Sequence, residues 1–289
     1  MKGKLLTIFL MAFCLYGKAQ IFYKIEKTDN PTSYIFGSHH LSPIDIVEKS
    51  NANDYFKEVD QIIGELDLTL DPIAISLAVQ PHMMAPSDST LSVLLEGENW
   101  DALNEQFEKW TPVPGMKLQM LDPLKPMAVT TMVVTGLSSQ IMPGFDPSQQ
   151  LDTYFFKQGE KEGKKIVALE TPDYQGEVLF DTTPLKIQAD ALIEMLTKPE
   201  ETIDNTKRLN AAYMDRDLDA MLEISKESED NSNFMENVLY RRNQEWLQKL
   251  PDLISESSSF IVVGALHLAG PKGILEGLKN EGYIITPIY

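Results

Sequence analysis

From residue 260 to residue 288 the chain reads strand, loop, helix, strand, and this order constrains the fold more than any other feature. Phe260-Ile261-Val262-Val263 is a short, fully apolar, β-branched run, the composition of a strand buried on both faces. Pro271 suits a first helical turn, Ile274, Leu275 and Leu278 share one stripe, and Gly282 is placed to end the helix. The last apolar run, residues 283–288, contains Pro287, which suits a sheet edge. A βαβ unit makes a parallel sheet, and ligands gather where its strands reach their carboxyl ends.

Other segments extend this sheet. Residues 21–26 alternate apolar and polar, Thr28-Asp29-Asn30-Pro31 reads as a turn, and Tyr34-Ile35-Phe36 resumes as a strand. That is a hairpin signal. Residues 61–66 and 165–169 are two further short apolar runs. The middle of the chain reads as helical: a start near Asp88-Ser89, Trp100 to Trp110, a Met-rich stretch over 121–137, then 152–163 and 174–196. Residues 199–253 read as several helices broken near Asp217 and Asp230. No Pro/Gly/Ser-rich linker divides the chain. The expected fold is α/β, a mixed, partly parallel central sheet flanked by helices, with a large helical insertion in the middle.

The first nineteen residues stand apart. Lys2 and Lys4 precede an apolar run over 5–16, and Gly17-Lys18-Ala19 puts small residues before Gln20. This is the layout of a secretory signal peptide; the run is short of the roughly 20 residues a membrane anchor needs. The expected organisation is a signal peptide at 1–19 and one α/β domain over 20–289, exported to the periplasm or the cell exterior without stable membrane insertion. Cleavage would remove Cys14, the only cysteine, so neither a disulfide nor a thiolate ligand is expected. It would also remove three lysines and no acid, taking the formal charge from −18 to −21. So acidic a chain repels nucleic acid and anionic lipid, and neither is expected as a partner.

Four of the apolar runs give out in a similar way. Tyr34-Ile35-Phe36 leads to Gly37-Ser38-His39-His40, and Ile261-Val262-Val263 leads to Gly264-Ala265-Leu266-His267. Ile62-Ile63-Gly64 leads to Glu65, and Ile166-Val167-Ala168-Leu169 to Glu170. If the four strands are neighbours, two imidazoles and two carboxylates meet at one end of the sheet. Such a set could form the first shell of a divalent metal, Mn, Co, Fe or Zn, with Glu65 or Glu170 free as general base. The glycines would let the backbone turn sharply on leaving the sheet.

Plainer readings stand beside this one. A lone histidine is commonly structural, and Glu65 or Glu170 could cap a helix or pair with an arginine. His39, next to His40, should project differently and have a supporting role. His82 reads as part of a surface loop, or of a substrate lid with Met83 and Met84. Arg241 and Arg242 separate by helical geometry: Arg242 falls within the stripe of Val238, Leu239, Trp246, Leu250 and Leu253, and Arg241 points away. An arginine among core residues needs a carboxylate. Arg242 is therefore either one half of a structural ion pair or a clamp for an oxyanion or carboxylate.

With these residues the sequence resembles the TraB/PrgY/GumN family, whose members include the Tiki proteases. The resemblance runs through Tyr34-Ile35-Phe36-Gly37-Ser38-His39-His40, Gly64-Glu65-Leu66-Asp67 and Leu151-Asp152-Thr153-Tyr154-Phe155. It continues through Leu169-Glu170-Thr171 with Gln175, Arg242-Asn243 with Trp246, and Val263-Gly264-Ala265-Leu266-His267-Leu268 with Gly270, Gly273 and Gly282-Tyr283. It covers nearly the whole chain after residue 19, and six pieces in order are specific where any one is weak. The resemblance implies a metal-dependent, peptidase-like site on His40, His267, Glu65 and Glu170, with Asp152 and Arg242 nearby and a peptide or protein substrate. Gln150 stands where the family usually has glycine before Leu151-Asp152, and Leu266 where a glycine is commoner before His267. The pheromone-quenching relatives suggest an alternative, peptide binding without turnover. Distantly similar folds suggest another, haem or iron binding.

Overall fold

The structure is a computed structural model that describes residues 20–146, 148–227 and 235–289. The expected signal segment with Cys14, and the expected helix break near Asp230, lie outside the described residues. One sheet organises the chain: β1 (Phe22–Glu26), β2 (Ser33–Ser38), β3 (Gln61–Gly64), β4 (Lys165–Ala168), β5 (Ser259–Gly264) and β6 (Ile284–Pro287). Their spatial order is β4-β3-β5-β2-β1-β6. The four strands from β4 to β2 are parallel, and β1 pairs antiparallel with both β2 and β6. The α/β expectation of a mixed, partly parallel sheet flanked by helices holds.

The sequence accounts for this order. The central strand β5 is buried along nearly its whole length, as its unbroken apolar run requires. The edge strands are the least buried: β4 is half-exposed, and β6 carries Pro287. The β1–β2 hairpin forms as expected, with Phe22 opposite Phe36. The closing βαβ unit also forms, but β6 does not lie beside β5. The chain crosses β2 and β1 before pairing, so β6 finishes the far edge.

The helices, in chain order, are α1 (Ile46–Lys49), α2 (Ala52–Lys57), α3 (Pro72–Met83), α4 (Leu91–Leu94), α5 (Trp100–Trp110), α6 (Pro126–Ile141) and α7 (Leu151–Glu162). They continue with α8 (Pro172–Phe180), α9 (Leu185–Thr197), α10 (Pro199–Met214), α11 (Leu218–Lys226), α12 (Arg241–Leu247), α13 (Leu250–Glu256) and α14 (Ile274–Asn280). Three expectations need correcting. The single helix expected over 174–196 is two, α8 and α9, because Pro184 precedes α9 and cannot continue α8. The final helix starts at Ile274 with Gly273 before it, so Pro271 lies in the preceding turn. His82 lies in α3, not in a loop.

Among the described residues, two apolar clusters hold the molecule together. The larger surrounds the sheet, with Phe22, Phe36, Phe155 and Phe260 on one side and Trp246, Leu250 and Leu278 among its members. The smaller belongs to the helical insertion, where Leu103 and Phe107 of α5 meet Val129 and Val133 of α6 and Leu192 and Leu196 of α9. The insertion therefore has a core of its own.

Candidate active site

The four carboxyl ends of the parallel strands carry, in sheet order, Glu170 after β4, Glu65 after β3, His267 after β5 and His40 after β2. Parallel pairing fixes this row: Gly64 lies opposite Ala168 and Val262, and Ser38 opposite Gly264. The residues named from sequence thus come to one edge.

Of the two glycines, Gly37 acts through close approach, and neither uses left-handed backbone. Gly264 has φ −52°, and neither it nor Gly37 is in the left-handed region. A Cβ on Gly37 would come within 2.9 Å of Ala265 Cα and of Leu268 Cδ1. The absent side chain at Gly37 lets the turn after β5 lie against β2.

Arg242 is the hub of the buried half. It follows a π-helical turn, Glu236–Tyr240, that leads into α12; such turns often mark functional positions. Its Nε and one terminal nitrogen donate to the two oxygens of Glu170 at 2.7 and 2.8 Å. That nitrogen also donates to Glu65 Oε2 at 2.6 Å, and the other donates to the Val238 carbonyl at 3.0 Å. Trp246 Nε1 donates to Glu170 Oε1 at 2.8 Å. Arg242 is buried and Arg241 is exposed against Glu245, as the helical stripe requires. Of the two readings kept for Arg242, the geometry supplies the ion pair. Its donors are taken up by protein groups, so it offers no clamp for a substrate carboxylate.

His267 is held by Asn243, which in the sequence stands out only through the motif it shares with Arg242. Asn243, fully buried, donates from Nδ2 to the carbonyls of His267 and Lys272 at 3.2 and 2.9 Å. Its Oδ1 must then face His267 Nδ1, 2.6 Å away. That assigns the proton of the neutral ring to Nδ1 and the lone pair to Nε2. Nε2 lies 3.2 Å from Arg242 and 3.8 Å from Glu65 Oε1. Burial drives the pKa of His267 down to about 3, despite Glu65 opposite. The ring is neutral at neutral pH. Burial pushes Glu65 the other way, but His267, Arg242 and the Gly264 amide outweigh it and hold the carboxyl down at about 2. With His267 neutral above acidic pH, Arg242 and the 2.8 Å bond from Gly264 N–H are what keep Glu65 ionised there.

His40 belongs to the open half. Its side chain is 62% exposed, against 4% for His267. With Glu65, Asp152 and Gln175 it lines a cavity of about 170 Å³, whose apolar wall is Leu66, Leu68 and Phe156. Asp152, in the first turn of α7, accepts from Ser38 Oγ at 2.9 Å through Oδ1. Its Oδ2 is buried without a hydrogen-bond partner, 3.5 Å from His40 Nδ1. Burial, more than any charge nearby, raises the Asp152 pKa. A larger depression of about 350 Å³ lies beside β6, but its lining has no imidazole.

The family model of the TraB/PrgY/gumN family matches residues 21–287. The chain belongs to the TraB/PrgY/gumN family. Among curated relatives of this family member is Metalloprotease TIKI1 of Xenopus tropicalis, 24% identical over 304 residues. That alignment covers 88% of this chain and 59% of the relative, so the chain spans little more than half the relative's length. No solved structure matches. Gln150 and Leu266, the two departures from the family pattern, have different surroundings. Gln150 lines the cavity, and Leu266 packs against the sheet core.

The relative's name raises a divalent metal, and the residues present fit one in part. Asp152 Oδ2 is a buried carboxylate oxygen with no partner, and Glu65 and His40 share its cavity. Carboxylate and imidazole are donors that Mn, Co, Fe and Zn accept. Glu170 does not fit, because it lies outside this cavity and both its oxygens are engaged by Arg242 and Trp246. Among the described residues no group of three or more His, Cys, Asp or Glu stands in ligating arrangement.

Proposed function

We propose that this family member is an exported, metal-dependent hydrolase that cleaves peptide bonds. The observation that carries the proposal is Glu65, held ionised at the centre of the row, facing His267 on one side and sharing a cavity with His40 and Asp152 on the other. The name of the TIKI1 relative and the family match support the reaction class. Among the described residues no helix is long and apolar enough to cross a membrane.

In this reading His40, Glu65 and Asp152 hold the metal, joined by His267 once Arg242 gives up its Nε2. A divalent metal bound there supplies polarisation of a carbonyl and a lowered pKa for water. A carboxyl held near pKa 2 is a weak base at neutral pH, so Glu65 suits a ligand better than a proton acceptor. Asp152 Oδ2, the unpartnered oxygen in the cavity, would be its donor to the metal. Glu170 keeps Arg242 fixed, and Arg242 keeps Glu65 ionised and aimed. Leu66, Leu68 and Phe156 exclude water from one wall.

Metal analysis of the mature protein, combined with a mass-spectrometric screen of a peptide library, tests this. The expected result is bound divalent metal, lowered in His40→Ala and His267→Ala, and cleaved peptides. A metal-free protein, or one whose metal content ignores His267→Ala, overturns it. A second reading, peptide binding without turnover, is favoured by one observation: an Arg242 nitrogen already lies on His267 Nε2. It expects stoichiometric peptide binding with the peptide recovered intact.

A further inference from the structure

His82 takes no part in the cleft, yet it is the most fully paired imidazole at the surface of the molecule. It lies in the last turn of α3, a helix with Ile73, Ile75, Leu77 and Val79 but no buried residue. Ile73 is 67% exposed and Leu77 63%. A helix with so little apolar burial gains little from packing. It lies along α8, and charged groups join the two helices at its carboxyl end. His82 Nδ1 lies 2.5 Å from Asp181 Oδ2, and Nε2 lies 3.2 Å from Asp173 Oδ1. Asp173 and Asp181 stand at opposite ends of α8. The ring lies against Gly176 midway between them, where a Cβ would come within 2.7 Å of His82 Cδ2. Lys125, just before α6, pairs with the other oxygen of Asp181.

Only the doubly protonated ring can donate to both carboxylates; a neutral ring must turn a lone pair on one of them. With His82 protonated, the charges of His82, Lys125, Asp173 and Asp181 cancel; without the proton one negative charge is left. A cation at a helix carboxyl end is also favoured by the helix dipole. The two helices matter to the cleft. The segment before α3 contributes Glu65, Leu66 and Leu68 to its lining, and α8 contributes Gln175, whose Nε2 lies 3.4 Å from Glu65 Oε2.

We infer that His82 is a protonation-dependent latch that holds α3 against α8 and so fixes the outer wall of the cleft. The hydrogen bond to Asp181 raises the His82 pKa above its ordinary 6.5, against the effect of burial, with Asp173 adding to it. A raised pKa contributes stability that is fully present below 6.5 and is lost as pH rises through the folded value. The latch is closed in mild acid and opens on the alkaline side. Asp173 is largely exposed, so the effect is local and modest.

Hydrogen exchange of residues 72–83 in the full mature chain, corrected for the intrinsic rate, reads the latch across pH 5 to 9. The ring signals of His82 are followed by NMR over the same range. We expect α3 to exchange severalfold faster at the alkaline end, with the change tracking a His82 titration above 6.5. His82→Gln, which keeps the size and loses the charge, should show the fast rate at every pH. Gly176→Ala, which pushes the ring off α8, should do the same. Asp173→Asn, at an exposed position, should move the transition to lower pH. A His82 that titrates at or below 6.5, or a His82→Gln variant as protected in acid as wild type, overturns the inference. Neither readout depends on metal or turnover.

Discussion

The two Gly-x-x-His arms are nearly the same in sequence and opposite in surroundings. His267 is buried, neutral, fixed in one tautomer by Asn243 and packed against Trp246 with the rings tilted by 36° and their centroids 4.4 Å apart. His40 is mostly exposed, with Asp152 at 3.5 Å as its near partner. The sheet explains the difference. β5 lies between β3 and β2, so its carboxyl end is flanked by two others running the same way, and α12 covers it. On its other side β2 has β1, which runs the opposite way and brings no carboxyl-end loop. One arm is part of the core, and the other is the open side of the cleft.

The largest expected effect lies in the buried arm. Arg242→Met removes the cation that pairs with both Glu170 and Glu65 and leaves two buried carboxylates uncompensated. Breaking such a pair from one side costs about 3–5 kcal/mol, and urea unfolding should show it. Adding Glu170→Gln should recover part of the loss, since one of the stranded charges is then gone. If Arg242→Met is as stable as wild type, Arg242 is not the keystone of this arm. The clamp reading would then return.

Swapping the same substitution between the arms comes next. His267→Ala removes a buried ring and leaves Asn243 Oδ1 without its donor, an expected loss of about 2–4 kcal/mol. His40→Ala should change stability by less than about 0.5 kcal/mol, the usual range for an exposed position. Both should lower metal uptake. Thermal unfolding beside metal analysis separates the two: equal stability losses would break the contrast between a core arm and an open one.

Much of this site could be read in the sequence, for a local reason. Strand ends announce themselves by β-branched runs stopping at Gly37, Glu65, Glu170 and Gly264, and parallel pairing does the rest. The inward direction of Arg242 followed from 3.6-residue periodicity alone. The environment of each group was not legible, because it depends on partners far away in sequence. Glu170 was grouped with the metal ligands, but Arg242 and Trp246, more than seventy residues on, claim both of its oxygens. Asn243 was visible only as Arg242's neighbour; its role needs the carbonyls of His267 and Lys272. The helix α3 leaves no signal in the sequence, because it is apolar without being buried and periodicity reports burial. Without that signal, His82 reads as part of a loop.

The smallest effect sharpens the comparison inside the open arm itself. His39, adjacent to His40, has a buried Nε2 without a hydrogen-bond partner, and its ring lies 5.2 Å from that of Tyr213. Burial, with His40 adding to it, lowers its pKa to about 4. A group with a depressed pKa contributes stability that is present above the unfolded value, 6.5, and is lost as pH falls through the folded one. His39→Phe keeps a ring against Tyr213 and removes both the unpartnered nitrogen and that acid sensitivity. Replacing an unsatisfied polar group by an apolar one of similar shape is close to neutral or stabilising, so a gain of up to about 1 kcal/mol is expected at pH 7. The gain should widen at pH 5, where wild type begins to lose the His39 contribution and the variant has none to lose. Urea unfolding at the two pH values measures both. A variant less stable than wild type at pH 7 would mean that His39 has a polar task in the open arm, and the division into one working imidazole and one packing ring would fail there.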